Sequence, residues 1–249
     1  MKVVICGEFP EKAEENIFHS FPLSWEVHIV PPSGLASELS NADILIPEHV
    51  EINADLLSKA PKLKLVQTGA GYDNVDLKAC TEFGVQACNA AGVNAYAVAE
   101  HVMALILSWY KNIPYLDHFL KDRGEADQLD YTGAELYGKT IGIIGLGHVG
   151  RIVAEYCNAF HMTVLGYSHK LIEMCSVEQV DLDTLFRDSD IISLHVPLTD
   201  STRHLINAET FSKMKPDALL INTSRGGTVD EAALITALEN KDISGACLD

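Results

Sequence analysis

One glycine-rich turn constrains the fold of this chain more than any other feature of its sequence. The glycines Gly145, Gly147 and Gly150 have the spacing G-x-G-x-x-G, directly after an apolar, strand-like run and at the start of a helical pattern. In such a unit the first glycine permits a tight turn, the second lets the backbone approach a diphosphate, and the third lets helix and strand pack closely. The helix N-terminus carries about half a positive charge and attracts anions. The segment therefore predicts a dinucleotide-binding unit, in which His148 and Val149 also contact the cofactor, rather than an ordinary glycine-rich turn.

Short apolar runs alternate with helical patterns along most of the chain, which is typical of a parallel sheet covered by helices. The predicted strands are residues 3–6, 27–30, 43–47, 63–68, 140–144, 163–167, 191–194, 218–222 and 243–248. The predicted helices are residues 10–18, 35–39, 95–109, 149–160, 208–214 and 231–239. We expect an α/β fold of two doubly wound parallel-sheet domains, residues 1–93 and residues 94–249.

The predicted helix at residues 95–109 is apolar almost all round. A helix of this kind is buried or packed against a partner, so it also predicts a homodimer. His101 on this helix is expected to be a core histidine with a structural role and not a catalytic group. The stretch 111–137 is more polar and is expected to be irregular, as a loop, an arm or a linker.

The charge balance narrows the classes of partner. Eighteen basic and 35 acidic residues give a formal net charge of −17, which argues against sequence-independent binding to nucleic acid and against binding to anionic lipid. No apolar stretch reaches the length of roughly 18 residues expected of a membrane span. The six cysteines are scattered and form no C-x-x-C pair, so reduced thiols in the cytoplasm are expected.

The end of the strand after the glycine turn bears on the choice of dinucleotide. An acidic residue normally ends this strand in an NAD enzyme, where it binds the ribose hydroxyls. Here the position is Ser168, followed by His169 and Lys170. A serine does not repel the extra phosphate of NADP, and Lys170 can supply positive charge, so we favour NADP over NAD. The alternative is that His169 and Lys170 are ordinary solvated loop residues.

Three further segments carry a resemblance to a known family. They are LVQTGAGYDNVD at residues 65–76, NAAGVNAYAVAEHVMALIL at 89–107 and LLINTSRGGTVDEAALITAL at 219–238. With the glycine turn, they make the chain resemble the D-isomer-specific 2-hydroxyacid dehydrogenases, and among these the glyoxylate and hydroxypyruvate reductases. The resemblance implies a flavodoxin-like substrate domain, a Rossmann domain for NAD(P), and hydride transfer between NAD(P)H and a small 2-keto acid or D-2-hydroxy acid.

The resemblance also implies roles for individual residues. Ala70 and Gly71 would contact the substrate carboxylate, and Gly69 would make the turn; successive N–H groups in such a turn form a small anion nest. Arg225 would be catalytic, because a guanidinium can bridge carboxylate and carbonyl oxygens in a bidentate fork that a lysine cannot reproduce. Further cofactor contacts would come from His195, Val196, Pro197, Thr223 and Asp249.

The chain departs from the family at its end. The family completes its site with a glutamate and an acid/base histidine, both of which lie beyond the motif that begins with Leu248 and Asp249. A last strand and a returning C-terminal helix are expected there too. We expect the 249 residues to be a fragment of an enzyme that is poorly active as it stands, with a complete native product as the alternative.

Two other functions remain open at this stage. The same fold resembles corepressors that bind a dinucleotide and a partner peptide, so a dinucleotide sensor or interaction protein without turnover is one alternative. Formate oxidation is another, although the N-terminal region lacks the extension of formate dehydrogenases. Binding of a dinucleotide without turnover would favour the sensor.

Overall fold

The computed structural model describes residues 1–48, 50–123 and 132–249. The chain divides into two units, Met1–Val93 and Asn94–Asp249. Each unit is built on its own parallel β-sheet, so the predicted α/β class with two parallel-sheet domains is confirmed.

The first unit has a five-stranded sheet in the order β2-β1-β3-β4-β5, all parallel. This is the order of flavodoxin-like folds. Its elements are β1 (Lys2–Cys6), α1 (Glu11–His19), β2 (Glu26–Val30), α2 (Leu35–Glu38), β3 (Ile44–Pro47), α3 (Ala54–Ser58), β4 (Leu65–Thr68), α4 (Leu77–Glu82) and β5 (Gln86–Asn89).

Two short helices of the first unit, α3 and α4, begin at side-chain caps. The Asn53 side chain accepts a hydrogen bond from the Leu56 N–H at the start of α3, and Asp76 accepts one from Ala79 at the start of α4. Both residues satisfy an N–H that the first turn of a helix leaves without an internal partner. The helices then close over a core in which Leu45 and Val66 are fully buried.

The second unit has a six-stranded parallel sheet in the order β11-β10-β9-β6-β7-β8. The strands are β6 (Thr140–Ile144), β7 (Thr163–Tyr167), β8 (Glu178–Gln179), β9 (Ile191–Leu194), β10 (Leu219–Asn222) and β11 (Gly245–Leu248). The helices are α5 (Ala95–Tyr110), α6 (Ile113–Arg123), α7 (His148–Ala159), α8 (Leu182–Asp188), α9 (Ala208–Phe211) and α10 (Glu231–Asn240).

Both faces of this second sheet are buried. Ile141 and Ile143 of β6 belong to one core cluster together with residues of α5 and α7, whereas Ile144 belongs to another with residues of α8, α9 and α10. Continuous apolar runs are what a parallel strand covered on two sides requires. The strand order reverses between β6 and β9, and ligands of open α/β sheets bind at the carboxyl ends of the strands at such a point.

The structure corrects several predictions about secondary structure. The stretch after α5 is not irregular throughout, because α6 forms over Ile113–Arg123 with an ion pair between Lys121 and Asp117 on its surface; residues 124–131 lie outside the described residues. The helices α3, α4 and α8 and the strands β5 and β8 were not predicted. Within the described residues, no helix is long and apolar enough to cross a membrane.

The helix α5 is buried on one face only. Val102, Met103 and Ile106 pack in the core, whereas Tyr96 is 67% exposed and His101 is exposed. The prediction that His101 is a core residue is therefore wrong. The core takes residues spaced three and four apart along α5, and His101 lies on the opposite face.

Candidate functional site

The glycine turn lies where the strand order of the second unit reverses. Gly145 follows β6 with a φ of 102°, a conformation that favours glycine. A Cβ at this position would strike the carbonyl group of His195, which follows the neighbouring strand β9. The Gly145 N–H donates to the carbonyl of Tyr167 at the end of β7, at 2.9 Å. The turn thus requires glycine at 145 for two independent reasons.

The next two glycines differ in what surrounds them. A Cβ on Gly150 would overlap the carbonyl oxygen of Gly145, so this position brings α7 close to the turn. In contrast, no described atom lies within 4 Å of a Cβ built on Gly147. Gly147 is also the N-cap of α7 and has no side chain to accept from the first-turn N–H groups. The first-turn N–H groups, which include those of exposed His148 and half-buried Val149, fit an anionic diphosphate.

The residues predicted for the adenosine end follow β7. Ser168 is half-buried, and His169 and Lys170 are exposed. The Lys170 N–H lies 3.5 Å from Ser168 Oγ, and the His169 ring packs edge-on against Tyr167 with their centroids 5.9 Å apart. The segment thus presents one hydroxyl and one ammonium group, with no carboxylate at its first position.

His195 is held at the end of β9 by two hydrogen bonds. Its backbone N–H donates to the Ile144 carbonyl at 2.8 Å, and its ring Nε2 lies 2.9 Å from Ser193 Oγ. Burial lowers the pKa of His195 from 6.5 to about 4, because a charged imidazolium loses its hydration there. The ring is therefore neutral at pH 7. Val196 is half-buried and Pro197 is exposed after it.

The buried histidine predicts a loss of stability in mild acid. The unfolded chain binds a proton near pH 6.5, whereas the folded chain binds it only near pH 4, so stability present above 6.5 is lost as the pH falls through this window. The loss is at most about 3.5 kcal/mol, since one pKa unit is worth about 1.4 kcal/mol.

Urea unfolding of the wild type and of His195→Gln at several pH values in this window measures the effect. Glutamine can keep a hydrogen bond to the Ser193 hydroxyl but does not titrate. We expect the wild type to lose more stability than the variant on acidification. Identical pH profiles for the two proteins would contradict the prediction.

A network around Asn222 shapes the loop that carries Arg225. The Asn222 side chain is 4% exposed. Its Nδ2 donates to the Arg225 carbonyl at 3.0 Å, and its Oδ1 accepts from the N–H and the hydroxyl of Ser224. The Thr228 hydroxyl donates to the same Arg225 carbonyl at 2.7 Å. The backbone of Arg225 is therefore fixed from two sides just after β10, and its Nη1 donates to the Ser224 carbonyl at 2.7 Å.

Thr223 and Asp249 lie beside this loop. The Thr223 hydroxyl is buried and has no hydrogen-bond partner among the described residues. The Asp249 N–H donates to the Asn222 carbonyl at 3.1 Å. Because parallel strands end at one edge, the sheet brings together the turns after β6, β7, β9, β10 and β11, and with them Gly145, Ser168, His195, Thr223 and Asp249.

The Asn222 network was not predicted from the sequence, and it supports a prediction of its own. Asn222→Ala is expected to lower stability by about 1–3 kcal/mol, because it leaves buried polar groups unpaired. It should also lower kcat/KM roughly tenfold, since the Arg225 loop loses its anchor. Thermal unfolding measures the first effect, and steady-state turnover on a 2-keto acid, the substrate class that the family resemblance implies, measures the second.

The matched control is Asn207→Ala. Asn207 caps α9 through Glu209 and Thr210, so its loss should lower stability by about 1 kcal/mol and leave kcat/KM unchanged. Wild-type turnover in Asn222→Ala would show that the network does not position Arg225.

In the first unit, the predicted carboxylate loop follows β4. The Asn89 side chain donates to the Ala70 carbonyl at 2.8 Å, and the Ala90 N–H donates to the Gly69 carbonyl at 2.9 Å. A Cβ on Gly69 would meet no described atom within 4 Å. The carbonyls of this loop thus face β5 and its extension. This segment, with Gly71, belongs to a different unit from Arg225.

Potential metal ligands do not cluster in the part of the chain that the structure describes. No group of three or more His, Cys, Asp or Glu residues is placed to hold an ion there.

Comparison with known proteins supports a single family. Residues 103–249 match the family described as D-isomer specific 2-hydroxyacid dehydrogenase, NAD binding domain. A D-3-phosphoglycerate dehydrogenase of Methanocaldococcus jannaschii is 41% identical over 222 residues, which cover 86% of this chain and 42% of that protein. A glyoxylate reductase of Thermococcus litoralis is 38% identical over 264 residues, which cover 100% of this chain and 79% of that protein. The chain thus spans less than half the length of the first relative and most of the second.

A solved structure gives the same result for the fold. An acyclic imino acid reductase in complex with NADPH and D-Arg superposes with a TM-score of 0.89 at 33% identity. The match covers 100% of this chain and 82% of that one.

Proposed function

Because this chain belongs to the D-isomer-specific 2-hydroxyacid dehydrogenase family, we propose that it is an oxidoreductase that transfers a hydride between a nicotinamide dinucleotide and a small 2-keto acid or D-2-hydroxy acid. The observation that carries the proposal is the Arg225 loop, which Asn222 and Thr228 fix just after β10, at the sheet edge that also holds the glycine turn. Glyoxylate and hydroxypyruvate are the substrates we propose first, since relatives are named for reducing them.

Different residues of the second unit would bind the dinucleotide and the substrate. The amides at the start of α7 would hold the diphosphate, in the space beside Gly147. The dinucleotide, when bound, supplies the hydride. The Arg225 guanidinium would orient the substrate carboxylate and stabilise the negative charge that grows on the carbonyl oxygen during reduction. That oxygen would take its proton from solvent. His195 stays neutral at working pH and takes a structural place along the cofactor with Val196 and Pro197.

In the first unit, we propose that the N–H groups of Ala70 and Gly71 bind a carboxylate. Hydrogen bonds from Asn89 and Ala90 fix the carbonyls of Ala70 and Gly69. With the carbonyls engaged, the N–H groups of the turn are left to form an anion nest.

We propose NADPH as the preferred dinucleotide. Ser168 stands where a carboxylate would repel the 2′-phosphate, and the exposed Lys170 follows two residues later. The reductase that superposes on this chain was solved with NADPH, which is compatible with this preference.

We also propose a homodimer formed through the exposed face of α5. Tyr96, Ala97 and Ala104 lie on that face together with the polar Glu100 and His101, outside the core, and its apolar part is of a kind commonly covered in an assembly. Light scattering that gives the mass of a monomer would contradict it.

The six free cysteines support a reducing compartment such as the cytoplasm.

The function is tested by titration and turnover on the same sample. Calorimetric titration with NADPH and NADH measures dinucleotide binding, and absorbance of the reduced nicotinamide measures reduction of a panel of 2-keto acids. We expect binding, with NADPH tighter, and weak turnover that is highest on two- or three-carbon 2-keto acids. Binding without turnover on any member of the panel would overturn the oxidoreductase proposal.

A further inference from the structure

The two-residue strand β8 holds the segment after β7 through one side chain. β8 pairs with β7, and Gln179 lies beside Gly166 in that pairing. The Gln179 Nε2 donates to the Lys170 carbonyl at 2.8 Å and lies 3.5 Å from the Ser168 carbonyl. Its Oε1 accepts from the Ile172 N–H at 2.9 Å. Both ends of one amide are thus bonded to the backbone on either side of Lys170.

This segment has no regular structure that would otherwise hold it. Residues 168–175 form no helix or strand, and the side chains of His169, Lys170 and Leu171 are exposed. A side-chain amide that bonds a carbonyl and an N–H two residues apart replaces the ladder that a longer strand would supply. Ile172, next along, is half-buried against the core cluster of α5 and α7, so the segment is held at that point too.

We propose that Gln179 is a positioning residue that sets the preference for NADPH over NADH, by fixing the backbone of Ser168 and Lys170 where the 2′-phosphate of the adenosine ribose would bind. This inference rests on the proposed function, and in particular on the assignment of Ser168 and Lys170 to the adenosine end. Gln179 itself would not touch the phosphate.

The two dinucleotides differ only at the 2′ position of the adenosine ribose. The 2′-phosphate is a compact, highly charged group that needs donors at defined positions, and disorder in those donors weakens charge-assisted hydrogen bonds. NADH carries a hydroxyl there, and the diphosphate that both dinucleotides share would be held at the start of α7. Release of the Ser168–Ile172 backbone should therefore weaken the binding of NADPH and leave the binding of NADH largely unaffected.

The test compares Gln179→Leu with Glu178→Leu by calorimetric titration with NADPH and NADH. Leucine keeps much of the volume of glutamine and removes both hydrogen-bonding ends. Glu178 is the exposed neighbour on the same strand, so Glu178→Leu controls for added apolar surface at that edge. We expect Gln179→Leu to raise the Kd for NADPH about tenfold, the loss of roughly one good hydrogen bond to a charged group. The Kd for NADH should change less than about twofold, and Glu178→Leu should leave the ratio of the two values unchanged.

Each other result has a separate meaning. If Gln179→Leu weakens both dinucleotides equally, its role is structural and the inference is overturned, while the proposed function stands. If the wild type binds neither dinucleotide, the proposed function fails and takes the inference with it. If Gln179→Leu proves unstable, a second variant, Gln179→Met, can be used, since methionine also lacks both hydrogen-bonding ends. In that variant the measurement is the hydrogen exchange of the Lys170 and Ile172 amides. Exchange as slow as in the wild type would overturn the inference.

Discussion

Gly147→Ala is expected to weaken the binding of NADPH by about a hundredfold, or about 2.7 kcal/mol, with little change in thermal stability. The Cβ of alanine would meet no described atom of the protein within 4 Å, and the φ of −79° at this position suits an ordinary side chain. The methyl group would instead occupy the space that the diphosphate needs to reach the N–H groups of α7. Calorimetric titration and thermal unfolding measure the two quantities on one sample.

Gly150→Ala is the matched comparison, three residues along the same motif. Its Cβ would overlap the Gly145 carbonyl, so α7 must move and the fold itself is strained. We expect a loss of about 3 kcal/mol or more, seen as a fall in melting temperature of roughly 6–12 °C for a unit of this size. The two variants thus distinguish a glycine that ligand binding requires from a glycine that packing requires. Unchanged NADPH affinity in Gly147→Ala would show that the diphosphate does not approach this turn.

The strands of the second sheet are the part of the fold that sequence patterns predict best. Thr140–Ile144, Thr163–Tyr167 and Ile191–Leu194 have the predicted bounds, because strands buried on both faces need continuous apolar runs and end sharply at turn residues. The strands β5 and β8 lie at sheet edges, and most of their side chains are exposed or half-buried. An edge strand need not show either apolar continuity or alternation, so neither was predicted.

The helices that were missed are short. α3, α4 and α8 span five to seven residues, too few for a repeat of 3.6 residues to become visible. Their one local signal is an Asn or Asp at the N-cap, Asn53, Asp76 and Asp181, and this signal is shared with ordinary turns.

The candidate site divides in the same way between residues that a motif or a resemblance indicates and residues that hold others in place. Gly145 and Gly150 can be proposed from sequence because the turn requires glycines at that spacing, and Arg225 is implied by the resemblance of its segment to the family. Asn222 and Gln179 act by bonding to backbone groups of other residues. Nothing in an isolated Gln-Val pair indicates that the amide will bond to a carbonyl nine positions earlier, because the pairing of β8 with β7 creates that contact.

Arg225→Lys is expected to lower kcat/KM for the reduction of glyoxylate by about a thousandfold, with the Kd for NADPH changed by less than about threefold. Lysine keeps the positive charge but presents a single ammonium point, whereas the guanidinium offers a planar pair of N–H donors to the carboxylate and the carbonyl oxygen at once. The backbone of residue 225 should not move in the variant, since Asn222 and Thr228 bond to its carbonyl and not to its side chain. The effect therefore isolates the shape of the cation from its charge and its position.

Oxalate provides a second measurement that does not depend on turnover. It is a planar dianion that resembles a 2-keto acid, and we expect its affinity for the NADPH-bound wild type to fall by at least about tenfold in Arg225→Lys. Arg187→Lys is the control, because Arg187 is exposed on α8 and pairs with its neighbour Asp188; it should change neither quantity. If Arg225→Lys lost turnover but bound oxalate as the wild type does, Arg225 would act on the charge that grows on the carbonyl oxygen and not on the carboxylate. If it lost neither, another cation must orient the substrate, and the assignment of Arg225 as the catalytic residue would fall.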